Sequence, residues 1–337
     1  MKKENFLLTS DLHLTDNSIE SYRWDVFESL TKLSIENLVD VIIILGDLVD
    51  RKDRHSGLLV NTIIDAFQGL ITDTGCKIIV LMGNHDQPLN GIPYWKFLSS
   101  IGVEYITVPT LRNGVWLLPF SSNPKDDWKS LLLSSSKAIM MHQTISGSVI
   151  DGDRIIDVAP HPMPKLPKNI PLFSGDVHRP QYIDGVIYVG APHPVRFSET
   201  WLNRVLLIQE SNFKNYKEIF LPSTKRAIIE ISNSQELDSF NFRKGDQVRI
   251  RYKLDGKNLT SWTEEEGVIK QWAATKEIFL ASIEAIFTNE ISIDSNEQKV
   301  SEMELMKPEE VIRNFAKQEN LSDDILNLGL QLLKECK

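Results

Sequence analysis

Five runs of apolar, β-forming residues punctuate the first half of the chain: Phe6 to Thr9, Val41 to Leu45, Ile78 to Met82, Ala138 to Met141 and Pro171 to Ser174. Each reads as a strand. Between them, Ser21 to Leu38 and Leu58 to Ile71 carry helical spacing, and Ile92 to Ile101 reads as a short helix opened by a turn. The order βαβαβ followed by shorter strands predicts an α/β protein, a sandwich of two sheets flanked by helices. Every run stops at a polar island: Asp11-Leu12-His13, Gly46-Asp47, Gly83-Asn84-His85-Asp86, His142, and Gly175-Asp176-Val177-His178. Placed as neighbours in one sheet, the five strands bring these islands together at their carboxyl ends, where open α/β sheets hold their sites.

After about Pro222 the pattern changes. Arg226 to Ser232, Gln247 to Lys253 and Phe279 to Ala285 read as strands, and Ser261 to Thr275 as a helix with Ser261 as cap and Glu264 three residues on. That is a small α+β domain without recurring metal ligands. A polar stretch, Asn289 to Glu304, reads as a linker. Pro308 then opens a helix with Val311, Ile312 and Phe315 on one face, and Ser322 caps a second helix with two apolar stripes. One stripe is Ile325, Leu328 and Leu332; the other is Leu326, Leu330 and Leu333. The expected organisation is a sandwich over 1–222, a small capping domain over 223–290, a linker over 291–306 and a helical hairpin over 307–337. Two apolar faces on a terminal helix need two partners, supplied by the protein's own body or by another subunit.

The islands carry carboxylate, amide and imidazole donors and no thiolate. That set suits borderline-hard divalent ions: Mn²⁺ first, with Mg²⁺, Fe²⁺ or Zn²⁺ as alternatives. One carboxylate can bridge two ions about 3.5–4 Å apart, a pair that clamps the attacking and leaving oxygens of a displacement at phosphorus. Asp47 is placed to be that bridge.

Asp11-x-His13, Gly46-Asp47-x-x-Asp50, Gly83-Asn84-His85-Asp86, His142 and Gly175-x-x-His178 together resemble the calcineurin-like metallophosphoesterases. Within that family, the segment Tyr188 to Glu199 is similar to the one following the last metal motif in SbcD-type DNA repair nucleases, including phage recombination subunits that pair with an SMC-like ATPase. The resemblance implies Asp11, His13, Asp47 and His178 around one ion, and Asp47, Asn84, His142 and Asp176 around the second. It leaves His85 as general acid for the leaving 3′ oxygen and Asp50 as the carboxylate orienting it. The family pattern has histidine where Asp176 stands. A carboxylate either keeps that ion, with a harder donor set, or weakens it; on an extended segment Asp176 and His178 point to the same face. His161 and His193 sit among prolines and read as loop or substrate contacts.

A hydrophobic content of 42% over 337 residues is enough for a full core. Two cysteines, Cys76 and Cys336, are too few for a disulfide framework, and no apolar run is long enough for a bilayer, which together point to a cytoplasmic protein. The net charge of −9 runs against DNA binding unless cations are clustered. Candidates are Arg51, Lys52 and Arg54 beyond Asp47, and Arg249, Arg251 and Lys253 alternating with Val248, Ile250 and Tyr252; the second set also reads as a charged, solvated edge strand. The resemblance implies a metal-dependent exonuclease or endonuclease acting on DNA, docked through its C-terminal helices to an SMC-like ATPase subunit of the SbcC type, and a homodimer. A protein or small-molecule metallophosphatase and a non-catalytic architectural subunit are the alternatives.

Overall fold

A computed structural model of the chain describes residues 3–88, 92–209, 211–254 and 262–287, together with three helical positions, Arg313, Leu326 and Leu330. The chain divides into two units, Met1–Phe287 and Thr288–Lys337. The expected linker and most of the helical hairpin lie outside the described residues, as does Ser261. Of the second unit, the three described positions are helical.

In the first unit, β1 (Phe6–Thr9), β2 (Val41–Ile44), β3 (Lys77–Leu81) and β4 (Val103–Ile106) pair in parallel. The chain then crosses to a second sheet through β5 (Thr110–Arg112), β6 (Val115–Leu118) and β7 (Ala138–His142). A small hairpin, β8 (Val149–Ile150) and β9 (Arg154–Ile155), interrupts it before β10 (Leu172–Gly175), β11 (Gln181–Ile183) and β12 (Val186–Tyr188) complete that sheet. β13 (Arg204–Ile208) returns antiparallel to β1, and β14 (Tyr216–Phe220) pairs antiparallel with β13 at the sheet edge.

The apolar runs are continuous because both faces are covered. Leu8, Ile43, Leu45, Ile79 and Leu81 point between the sheets onto Met140, Phe173 and Val189. Their neighbours Leu7, Ile42, Ile44, Ile78 and Val80 point outward onto two helices, α1 (Asp25–Glu36) and α2 (Gly57–Thr74). In α2, Leu59, Ile63, Phe67 and Leu70 form the buried stripe. Ser56 caps its start by accepting from the Leu59 N–H, and Gly75 ends it at φ 66° with its N–H on the Ile71 carbonyl. The residues expected as a short helix from Ile92 form a 3₁₀ helix, Tyr94–Ile101.

The five island-bearing strands are not neighbours in one sheet. β1, β2 and β3 belong to the first, β7 and β10 to the second. The shared apolar layer between the sheets stacks them, so that both sets of carboxyl ends open on one side of the sandwich.

Beyond the short turn α3 (Pro124–Asp127) and further 3₁₀ turns, this unit includes β15 (Arg226–Ile231), β16 (Gln247–Leu254), α4 (Trp262–Thr275) and β17 (Phe279–Phe287). They form a parallel three-stranded sheet with its own core, including Val248, Ile250, Tyr252 and Ile269. β16 is its central strand, so the edge-strand reading fails. The small sheet stays with the sandwich in one compact unit. Polar contacts hold it there: Arg226 bonds the Val195 carbonyl at 2.5 Å and pairs with Glu20 at 3.3 Å, and Gln247 donates to the Ile19 carbonyl.

Candidate metal centre

The loops after β1 and β2 continue side by side beyond the sheet edge. Asp11 donates to the Gly46 carbonyl, His13 to that of Asp47 and Leu14 to that of Leu48, at 2.9–3.0 Å. The Asp86 carboxylate, 2% exposed, accepts from the N–H groups of Leu48, Val49 and Gly83 and so ties the β2 loop to the β3 loop. Gly83 is required by this packing: a Cβ there would lie 2.2 Å from both the backbone nitrogen and a carboxylate oxygen of Asp47. Asp11, His13, Asp47 and Asp176 all occupy the left-handed region, with φ between 43° and 78°. Such conformations cost about 1–3 kcal/mol each and gather where function over-determines the backbone.

Seven of the expected site residues converge here. Three overlapping groups, Asp11–His13–His178, His13–Asp47–His85 and Asp11–Asp47–His142, each have ligand atoms within 4.8 Å of one another. Asp47 joins two of them: one oxygen lies 3.5 Å from His13 Nε2 and the other 3.3 Å from His142 Nε2. The Asn84 side-chain oxygen is 3.2 Å from the same His142 nitrogen. His85 lies edge-on to His13, with ring centroids 4.7 Å apart.

Hydrogen bonds on the far side of each ring aim the nitrogens. His142 Nδ1 sits 2.5 Å from the Leu45 carbonyl, His85 Nδ1 2.6 Å from the Asp50 carbonyl, and His178 Nδ1 2.6 Å from the Glu199 carboxylate. These acceptors fix Nδ1–H and turn each Nε2 toward the centre, those of His142 and His178 as candidate donors to an ion and that of His85 as the candidate proton carrier. Glu199 is itself held by the Val195 N–H at 2.6 Å. The residues fit divalent ions on a specific observation. His13 Nε2 and His178 Nε2 face each other at 3.0 Å, and the buried Asp11 Oδ2 has no hydrogen-bond partner. Two imidazole nitrogens and an orphaned carboxylate oxygen turned to one point are what a shared cation satisfies.

The electrostatics agree. Burial opposes charge on Asp47, but the imidazoles of His142, His13 and His85 overcome it and hold the carboxyl well below the usual range. Burial likewise works against charge on His142, and Asp47 more than offsets it, raising His142 to about 10. Asp11 is pushed up to about 6, chiefly by burial. His13 is lowered well below the ordinary histidine value by burial, so it stands as neutral imidazole. With donors this crowded, the centre holds ionised carboxylate against protonated histidine until a cation replaces the proton.

Other expectations require correction. The Asp50 carboxylate does not reach His85; it pairs with Arg23 at 3.1 Å, and the Asp50 backbone carbonyl takes the imidazole instead. Asp176 sits in a left-handed bend at φ 78°, so the segment is not extended and the shared-face argument with His178 fails. Its Oδ2 accepts from the Thr144 hydroxyl at 2.7 Å, while Oδ1 lies 3.7 Å from His142 Nε2. His193 is buried and donates from Nε2 to the Leu12 carbonyl, a brace for the β1 loop rather than a substrate contact. Arg51, Lys52 and Arg54 are exposed beyond Asp50. On β16, Arg251 pairs with Glu230 and Glu284, and Lys253 with Glu230, so acids of the flanking strands neutralise the expected basic face. Arg249 lies over the Phe197 ring at 4.4 Å.

Three contributors escaped the sequence reading. Asp86, given no role beyond its place in the motif, serves the backbone, and Glu199 was visible only as the last residue of the Tyr188 to Glu199 segment. Arg23, 2% exposed, donates to the His13 carbonyl and to Asp50 and Glu20. An arginine within a helical stretch carries no signal that it is buried.

The calcineurin-like phosphoesterase family matches residues 4–204, and the chain belongs to that family. It is a metallophosphoesterase by fold and by donor set. Among solved structures it is similar to the nuclease MPE of Pseudomonas putida, at 15% identity and a TM-score of 0.32, over 64% of this chain and 87% of that one. It is also similar to a dimetal phosphatase from Danio rerio, at 12% identity and a TM-score of 0.38, over 66% of this chain and 100% of that one. No curated protein matches it. Among the described residues, no helix is long and apolar enough to cross a membrane.

Proposed function

We propose that the chain is a two-metal phosphodiesterase acting on DNA, the nuclease subunit of an SbcCD-like end-processing complex. One observation supports the nuclease reading over the phosphatase: the Tyr188 to Glu199 segment, which resembles the SbcD-type nucleases, contributes the buried carboxylate that orients His178. Two divalent ions, Mn²⁺ foremost, supply a nucleophilic water and neutralise charge on the phosphate when bound. The chain's own residues do the rest. One ion would be held by Asp11, His13, Asp47 and His178 and the other by Asp47, Asn84 and His142, with Asp176 a further candidate for the second. His85, with Nδ1 fixed on the Asp50 carbonyl, presents Nε2 to protonate the leaving oxygen. Arg23 keeps the His13 and Asp50 loops together while that proton moves.

Purified protein with Mn²⁺, assayed on single-stranded DNA, duplex DNA and a phosphomonoester, tests the reading. Cleavage of DNA with little turnover of the monoester is expected; the reverse selectivity would make the chain a phosphatase. The segment 307–337, expected as a helical hairpin, is proposed as the surface for an SMC-like ATPase subunit, on the strength of the two apolar stripes in the sequence after Ser322. Deleting residues from Lys307 onward should abolish that association and leave metal content intact. Unchanged association would place the partner elsewhere.

A further inference from the structure

The metal centre opens on a cleft of about 280 Å³ whose floor includes Asn84 and His178. Its walls are unlike those a simple phosphate ester requires. Three rings face it, Phe120, His161 and Trp201, together with three cations, Arg154, Arg179 and Arg196. Phe120 stands edge-on to His161 at 5.3 Å and reaches His142 at 6.4 Å, so this wall touches the centre itself. On the other side Arg179, next in sequence to His178, carries its guanidinium 5.9 Å from the Trp201 ring and pairs with Asp153, at the hairpin between β8 and β9. The Trp201 indole nitrogen is buried without a hydrogen-bond partner. The cleft lies near the small end of ligand pockets, which run about 300–1,000 Å³.

We propose that this cleft is a nucleoside subsite: it stacks the base of the nucleotide flanking the scissile phosphodiester on its aromatic walls, and Arg154 and Arg179 hold the adjoining phosphate. The proposal rests on the phosphodiesterase reading and deepens it, because it makes an unstacked nucleotide the substrate unit. Flat rings recognise bases through their π-faces irrespective of sequence, and guanidinium forks match phosphate oxygens. A phosphate monoester of a small alcohol would use neither wall. The subsite also relocates recognition from β16, where acids neutralise the cations, to the rim of the centre.

The test compares two diesters sharing one leaving group: thymidine carrying 4-nitrophenyl phosphate, as both the 5′ and the 3′ ester, and methyl 4-nitrophenyl phosphate. The quantity read is the ratio of kcat/KM for the better nucleoside ester to that for the methyl ester, with Mn²⁺. Wild type should favour the nucleoside, and Trp201→Ala should lower the ratio about fivefold or more, the effect of one lost base stack. Trp201→Phe should restore most of it. Arg154→Glu, a change at an exposed position, should lower the ratio without affecting the fold, which melting and metal content would verify. A wild-type ratio near unity, or one unmoved by both Trp201→Ala and Arg154→Glu, overturns the subsite alone. Hydrolysis of neither ester by wild type overturns the phosphodiesterase reading and the subsite with it.

Discussion

Replacing Glu199 by alanine isolates the contribution of a carboxylate whose two oxygens are engaged by His178 and by the Val195 N–H. Glu199 is 3% exposed, bonds His178 Nδ1 at 2.6 Å and accepts the Val195 N–H at 2.6 Å. Burial lowers the basicity of His178 and the bond to Glu199 restores it, leaving the imidazole above its ordinary value. Without that carboxylate the ring is a weaker donor and is free to rotate away from His13. Carboxylates supporting a metal-bound histidine are worth about 10–100-fold in affinity or activity, or roughly 1.4–2.8 kcal/mol. Two buried donors also lose their acceptor, at about 1–3 kcal/mol each unless water enters. Glu199→Gln, which retains an acceptor oxygen, should fall between wild type and alanine. Calorimetric titration of Mn²⁺ into metal-free protein measures the first effect, and thermal melting of that protein the second. A Glu199→Ala variant with wild-type affinity for both ions would refute the claim that this contact organises the centre.

His85→Ala should lose DNA cleavage by about 10²–10⁴-fold while keeping its ions, as expected for a proton donor; loss of an ion would make His85 a ligand. Asp176→Ala should leave Mn²⁺ stoichiometry unchanged and weaken the second ion only modestly, because Thr144 already engages the carboxylate; titration showing complete loss of that ion would establish Asp176 as a required ligand. Since His142 is raised to about 10, metal-free protein carries this proton at neutral pH and must release it on binding. Mn²⁺ affinity should therefore rise with pH toward 10, and titrations in buffers of different ionisation enthalpy should report the proton. The folded value lies above the unfolded one, so the same proton stabilises metal-free protein fully below about 6.5 and progressively less as pH rises through 10.

The strands and the convergence of the islands were legible because a continuous apolar run ending in Asp or His has a distinctive signature, as Val41 to Asp47 and Ile78 to His85 show. The division of those strands between two sheets was not, because Ala138 to Met141 and Phe6 to Thr9 present the same pattern whichever sheet they join. The contact pairing the sheets is made side chain to side chain, between Leu8 or Ile43 and Met140 or Phe173. Charge partners were equally hidden. Arg251 and Lys253 looked like a basic stripe because Glu230 and Glu284, which neutralise them, lie on strands distant in sequence. Asp50 met its histidine through a backbone carbonyl, a contact that no residue identity announces.

The claim that Asp47 joins two ions is tested most directly by counting them. Metal-free protein loaded with Mn²⁺ and freed of excess, then analysed by elemental mass spectrometry, should retain two ions per chain, and spin coupling between them should appear in the electron paramagnetic resonance spectrum. In Asp47→Asn, both the count and the coupling should fall. A single uncoupled ion in the wild type, or a coupled pair that persists in Asp47→Asn, would contradict the account.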